Sequence, residues 1–194
     1  MTTRFIDRAI RSSVARAQRM QPGRVRRVAE ETLYSSPAQR PLVEDVRSAH
    51  DYLVSTGLGT VAASTVAVRR TDRTVAVTRE GSLAAGIDGR SLETVSADAG
   101  PLARAAAAVG AAVWAHPPAL MALAAAGRRV DESVSRDLAE CCGRIVFGAE
   151  VTEPGVGVVA GEGVVAAGST AIDAVARLEA AERLATITLH LPDR

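Results

Sequence analysis

Apolar residues recur along this chain in two periods, and the periods alternate. From Pro41 onward, Leu42, Val46, Ala49 and Leu53 fall at helical spacing, and Gly57 and Gly59 end that stretch. Residues 61–69 and 73–78 are β-branched and alternate, which predicts a hairpin turning at Thr71-Asp72. Gly86 to Gly89 marks another turn, and Leu92 to Ser96 reads as a strand. An Ala-rich helix opened by Pro101 follows over 101–108, then an apolar strand over 111–115. Pro117-Pro118 breaks that strand, and 119–126 reads as a helix ended by Gly127. Residues 134–142 are predicted helical, and 145–148, 156–160 and 163–167 are short strands. Ser169 or Thr170 caps a last helix over 170–189, with Ile172, Val175, Leu178, Ala181 and Ala185 on its apolar face. Asp173–Arg177 and Glu179–Arg183 are i,i+4 pairs on its wet side.

Residues 1–40 follow another pattern. They carry nine Arg against three acids. Residues 3–20 can form an amphipathic helix with Ile6, Ile10, Val14 and Ala17 on one side, stopped by Pro22-Gly23. A shorter helix fits 24–33, before the break at Ser35-Ser36-Pro37. The expected organisation is an Arg-rich helical arm over 1–40 and a domain over 41–194. The arm lacks interleaved aromatics and any nucleic-acid motif. It fits docking on the core or a partner better than nucleic acid.

The whole chain has 194 residues, enough for one hydrophobic core. Its apolar residues are mostly Ala and Val, which lets helices lie close on a sheet. Every basic residue is Arg. With no lysine, Schiff-base catalysis by this chain is excluded. No apolar run reaches the 18 residues or so that span a membrane, and no signal-peptide pattern opens the chain, so a cytoplasmic location is expected. Cys141 and Cys142 are neighbours, so free thiols in a reducing compartment are expected.

Three stretches carry a family resemblance. Ser64-Thr65-Val66-Ala67-Val68-Arg69 is similar to a Gly-Asn-Ile-Ser-x-Arg strand, and Thr78-Arg79-Glu80-Gly81 to a Thr-Pro-Ser-Gly turn. Ala111 to Ala124 is similar to a strand and helix around His-x-His. Gly161-Glu162-Gly163, with the helix Arg177-x-Glu179-x-x-Glu182, is similar to an Asn-His-Gly segment and its closing helix. Over roughly 45–190 the chain resembles the class II aldolase/adducin family. The resemblance implies a three-layer α/β/α sandwich around a largely antiparallel sheet. It also implies a tetramer, or a hetero-oligomer with a paralogue, and a zinc-like ion held by three His.

Transferred residue by residue, that site is degraded. Trp114 stands where the first His belongs, His116 is retained, and Glu162 replaces the third. One imidazole and one carboxylate are a poor pair for zinc. Residues 97–110 contain no counterpart of the family's Glu-x-x-x-His segment. On the phosphate side, Thr65 replaces Asn and Glu80 replaces Ser, beside Thr78 and Gly81. A carboxylate there would repel phosphate.

The expected reading is a non-catalytic binding or structural subunit without metal or cofactor. The alternative is a lyase- or isomerase-type enzyme acting on a small carbonyl or hydroxy-acid substrate, with His116 and Glu162 as acid and base. The bland counterparts are a half-buried His116 held by a backbone carbonyl at a strand end, a solvated Glu162, and a Trp114 that fills the lost site. Asp131, Glu132 and Asp137 read as capping residues. His50, with no evident partner, and His190 near the terminus support no catalysis.

Overall fold

The computed structural model describes residues 40–59, 64–79, 87, 91–148 and 150–191. Of the arm expected over 1–40 all but Arg40, and of the turns around Glu80–Gly81 and Gly86–Gly89 all but Ile87, lie outside the described residues. Helix α1 (Arg40–Ser55) leads into β1 (Thr65–Thr71) and β2 (Thr74–Thr78). β3 (Leu92–Ser96), α2 (Pro101–Val109), β4 (Ala111–Ala115) and α3 (Pro118–Ala125) follow. A 3-10 turn over Glu132–Val134 precedes α4 (Arg136–Cys142). β5 (Arg144–Phe147), β6 (Gly155–Val159), β7 (Gly163–Gly168) and α5 (Ala171–His190) complete the domain.

The seven strands form one sheet in the order β3-β2-β1-β4-β7-β6-β5. Every pairing is antiparallel except β5 with β6. Alternation along each strand sends successive side chains to opposite faces. On one face Val66, Val113, Val156, Val158, Val164 and Ala166 join a core with α1, α3, α4 and α5. On the other, Ala67, Val75, Ala112, Val165 and Ala167 meet the alanines of α2, with Trp114 and Val146 beside them. The result is the expected α/β/α sandwich, with α2 the one helix of the thin layer among the described residues.

The elements arise where the pattern puts them, with local differences. In α1 the stripe Val43, Val46, Ala49 and Leu53 is fully buried. The β1–β2 turn falls at Asp72-Arg73, one residue later than expected. There the Thr71 hydroxyl accepts from Arg73 N (3.2 Å) and meets the Thr74 hydroxyl (2.7 Å), so side chains set the turn. The helix expected over 134–142 is split. Ser135 is extended, and its hydroxyl caps α4 by accepting from Leu138 N.

On α5, Ile172 is 43% exposed and does not belong to the apolar face. Ala171, Ala174, Val175, Leu178 and Ala181 are buried instead. At 100° or so per residue, Ile172 lies roughly 120° of arc from the centre of that stripe. The i,i+4 pairs form, Asp173–Arg177 at 3.1 Å, but only Arg183, 65% exposed, lies on a wet side; Arg177 and Glu179 keep 20% and 17% side-chain exposure. Thr170 is the N-cap, accepting from Asp173 N.

Candidate functional site

β4 and the β6–β7 turn bring the predicted residues together. Val113 and Ala115 belong to the thick core, so alternation puts Trp114 and His116 on the α2 face. Trp114 pairs across to Thr65 on β1 and to Val165 on β7. The strand ends at Ala115, just before His116 and Pro117, and His116 is exposed.

His116 Nε2 lies 2.8 Å from the peptide oxygen of Glu162. A carbonyl only accepts, so Nε2 carries the hydrogen and donates it. The contact is to the backbone of Glu162, and the Glu162 carboxylate is exposed at the turn. Thus His116 is held by a carbonyl, though more exposed than half-buried.

The glycines around Glu162 have separate reasons. Gly161 has φ +78°, and Glu162 N bonds back to Val159 O at 3.0 Å, closing the turn. Gly163 has φ +154°, and a Cβ there would lie 2.6 Å from Trp114 Cζ2. The indole is seated on that glycine. Its ring stands edge-on to the His116 ring at 6.2 Å between centroids. Indole and imidazole therefore share one wall, and the indole has no lone pair to offer a metal.

The remaining predicted residues divide. Thr65 sits beside Trp114 at the start of β1. Thr78 is buried on the opposite face, where its hydroxyl accepts from Val66 N at 3.0 Å, so it serves the backbone. Glu80 and Gly81 lie outside the described residues. Asp131 caps the 3-10 turn by accepting from Ser133 N, and Glu132 and Asp137 occupy first helical turns. His50 does have a partner: its Nδ1 is 3.3 Å from Asp51 Oδ1. The ring of His190 bonds the Thr186 carbonyl one turn back. Cys141 and Cys142 are both free, the first exposed and the second buried. Burial, then the nearby charge of Glu132, pushes the Cys142 thiol up to about 11.

Sequence reasoning missed Glu182. This carboxylate is 8% exposed and accepts from Ala119 N (2.7 Å) and Leu120 N (2.9 Å) at the start of α3. Burial raises its pKa, against the lowering effect of those two amides. A readable signal existed. α3 opens on Pro117-Pro118, which provide no capping side chain, so its first free amides need an acceptor from elsewhere. Tyr52 on α1 donates to Glu179 on α5, which also receives Arg183. The bond to Glu179, then burial, raises the Tyr52 pKa.

Among the described residues no three His, Cys, Asp or Glu side chains converge as metal ligands. Nor is any helix long and apolar enough to cross a membrane.

No protein-family model matches the chain, and no curated protein matches it by sequence. Solved structures do match in shape. L-fuculose-1-phosphate aldolase from Thermus thermophilus superimposes with a TM-score of 0.63 at 17% identity, over 78% of this chain and 95% of that one. YgbL from Escherichia coli gives 0.64 at 18% identity, over 81% and 92%. The N-terminal class II aldolase domain of a conserved Thermoplasma acidophilum protein gives 0.53 at 14%, over 76% and 93%. The chain has a class II aldolase-like fold. At such identities the likeness establishes architecture alone. The class II aldolase-like sheet is what brings the ends of β4 and β7 together, and with them Trp114, His116 and Glu162.

Proposed function

We propose that this protein is a binding or structural member of the class II aldolase-like fold and does not carry out metal-assisted aldol cleavage. The observation that carries the reading is the bond from His116 Nε2 to the Glu162 carbonyl, beside the Trp114 indole seated on Gly163. An aldolase ion needs several converging donors and an open position. Here one imidazole nitrogen is occupied by a peptide oxygen, and its neighbour on the strand is an indole. This donor set does not suit a zinc ion. On the phosphate side, Thr78 is occupied with the Val66 amide.

The acid/base alternative would need the Glu162 carboxylate against the imidazole, whereas the contact is to its carbonyl. We extend the proposal to an oligomer, of this chain alone or with a paralogue. We extend it also to a reducing cytoplasmic setting, which suits two free cysteines, and to residues 1–40 as an Arg-rich arm on the domain over 41–194.

The test is metal content and cleavage together. The full chain is incubated with excess zinc, desalted, and assayed by mass spectrometry for metal and by coupled assay for cleavage of L-fuculose 1-phosphate. Substoichiometric zinc and no cleavage are expected. About one tightly held zinc per chain, or turnover, would overturn the proposal.

A further inference from the structure

The parallel β5–β6 pair requires a connection that crosses back over the sheet, and such crossovers ordinarily take a dozen or so residues, with a helix covering the face. Here β5 ends at Phe147 and β6 begins at Gly155, so seven residues, 148 to 154, make the crossing. Val151 pins this short loop to the α2-side core. Between the loop, α2 and the sheet lies a cavity of about 180 Å³.

The cavity is apolar within and charged at its edge. Val151, Gly157 and Val165 line it, with Arg104, Glu150 and Glu162. Gly157 contributes no side chain, so the floor stays open. Arg104 Nη2 lies 2.6 Å from Glu150 Oε1, and the two charges neutralise each other. Glu162 has no ion pair among the described residues, so the lining groups Arg104, Glu150 and Glu162 together carry one net negative charge. Its turn is held by the bond from His116, which makes His116 a positioning residue for this carboxylate.

We propose that this cavity binds a small primary amine with a branched or cyclic hydrocarbon body, its ammonium meeting Glu162. One net negative charge on an apolar wall selects a monocation and opposes carboxylates and phosphates. A cavity of about 150 Å³ accepts a benzene ring, so this volume suits a body of roughly five to seven heavy atoms. An ammonium–carboxylate hydrogen bond at the mouth fixes orientation, and the valines cover the hydrocarbon. The inference deepens the binding-protein reading. Its test involves neither metal nor phosphate, so the two can fail separately.

The experiment titrates the full chain with 3-methylbutylamine, monitored by amide chemical shifts. The isosteric anion 3-methylbutanoate and the neutral alcohol serve as comparisons. The amine is expected to shift residues of the 148–154 loop and of α2, and the anion to leave them unmoved. Glu162→Gln should weaken the amine about tenfold, and higher salt should weaken it further. Glu140→Gln, at an exposed α4 position paired with Arg136, should change nothing. No shifts with the amine, preference for the anion, or equal affinity in Glu162→Gln would each overturn the proposal.

Discussion

Replacing Glu182 by Ala removes the acceptor for two amides at the start of α3 and leaves both buried under α5. The bonds are 2.7 and 2.9 Å long, and the carboxylate is 8% exposed, so water cannot readily take its place. A buried donor without a partner costs about 1–3 kcal/mol. Two such donors set a gross loss of about 2–6 kcal/mol. Removing a carboxylate whose own burial is unfavourable returns part of this, and a net destabilisation of about 2–4 kcal/mol is expected. Glu182→Gln keeps one acceptor oxygen and should lose about half as much. The pH dependence has a definite sign. Burial raises the carboxyl pKa above its unfolded value. Between the two values the native state holds a proton that the unfolded chain has released, so stability falls as pH rises through that window. Glu182→Gln should remove that part of the decline. Urea unfolding followed by circular dichroism, at several pH values from acid to neutral, measures both effects. A Glu182→Ala protein within about 0.5 kcal/mol of the parent would refute the reasoning.

Other expectations rest on separate contacts. Gly163→Ala should destabilise by about 1–3 kcal/mol, since its Cβ would strike the indole and its φ is +154°; adding Trp114→Ala should recover part of the loss, as a double-mutant cycle in urea would show. Tyr52→Phe should cost about 0.5–1.5 kcal/mol by losing the bond to Glu179. Because the folded Tyr52 pKa is raised, its contribution is complete below the unfolded value of about 10 and is lost as pH rises through the folded pKa, and ultraviolet titration of the phenol should show the late transition disappear in the variant. Towards a disulfide reagent, Cys141 should react in the native protein and Cys142 only after unfolding, because Cys142 is buried with a thiol pushed up to about 11; equal rates would contradict its burial.

Much of the architecture was readable because burial on one side leaves a period. The stripe of α1 and the alternation of β1 and β2 needed no tertiary information. The failures have specific causes. Ile172 reads as core by residue type, but the sheet-facing arc at that helix start belongs to Ala171 and Ala174. Glu182 entered only as part of the closing-helix motif, and its burial was signalled only by the uncapped Pro-Pro start of α3. Strand order was beyond local pattern. The pattern marks β5 and β6 as short strands, and only the folded structure gives their parallel pairing.

The contrast between Trp114 and His116 shows why the site was only partly legible. The resemblance identifies which positions face one another across β4 and β7, since these follow from strand register. It does not tell what the side chains do after substitution. Trp114 is accommodated because Gly163 provides no side chain beneath it. His116 bonds the peptide oxygen of Glu162, and so ties the end of β4 to the β6–β7 turn. Each contact is local to the α2 face, whereas the thick core under α1, α3, α4 and α5 takes its side chains from the other side of the same strands. A residue on the α2 face of β4 can therefore differ without disturbing the layer that holds most of the buried apolar residues. That separation of faces lets side chains at the β4–β7 edge vary while the core that fixes the architecture stays packed.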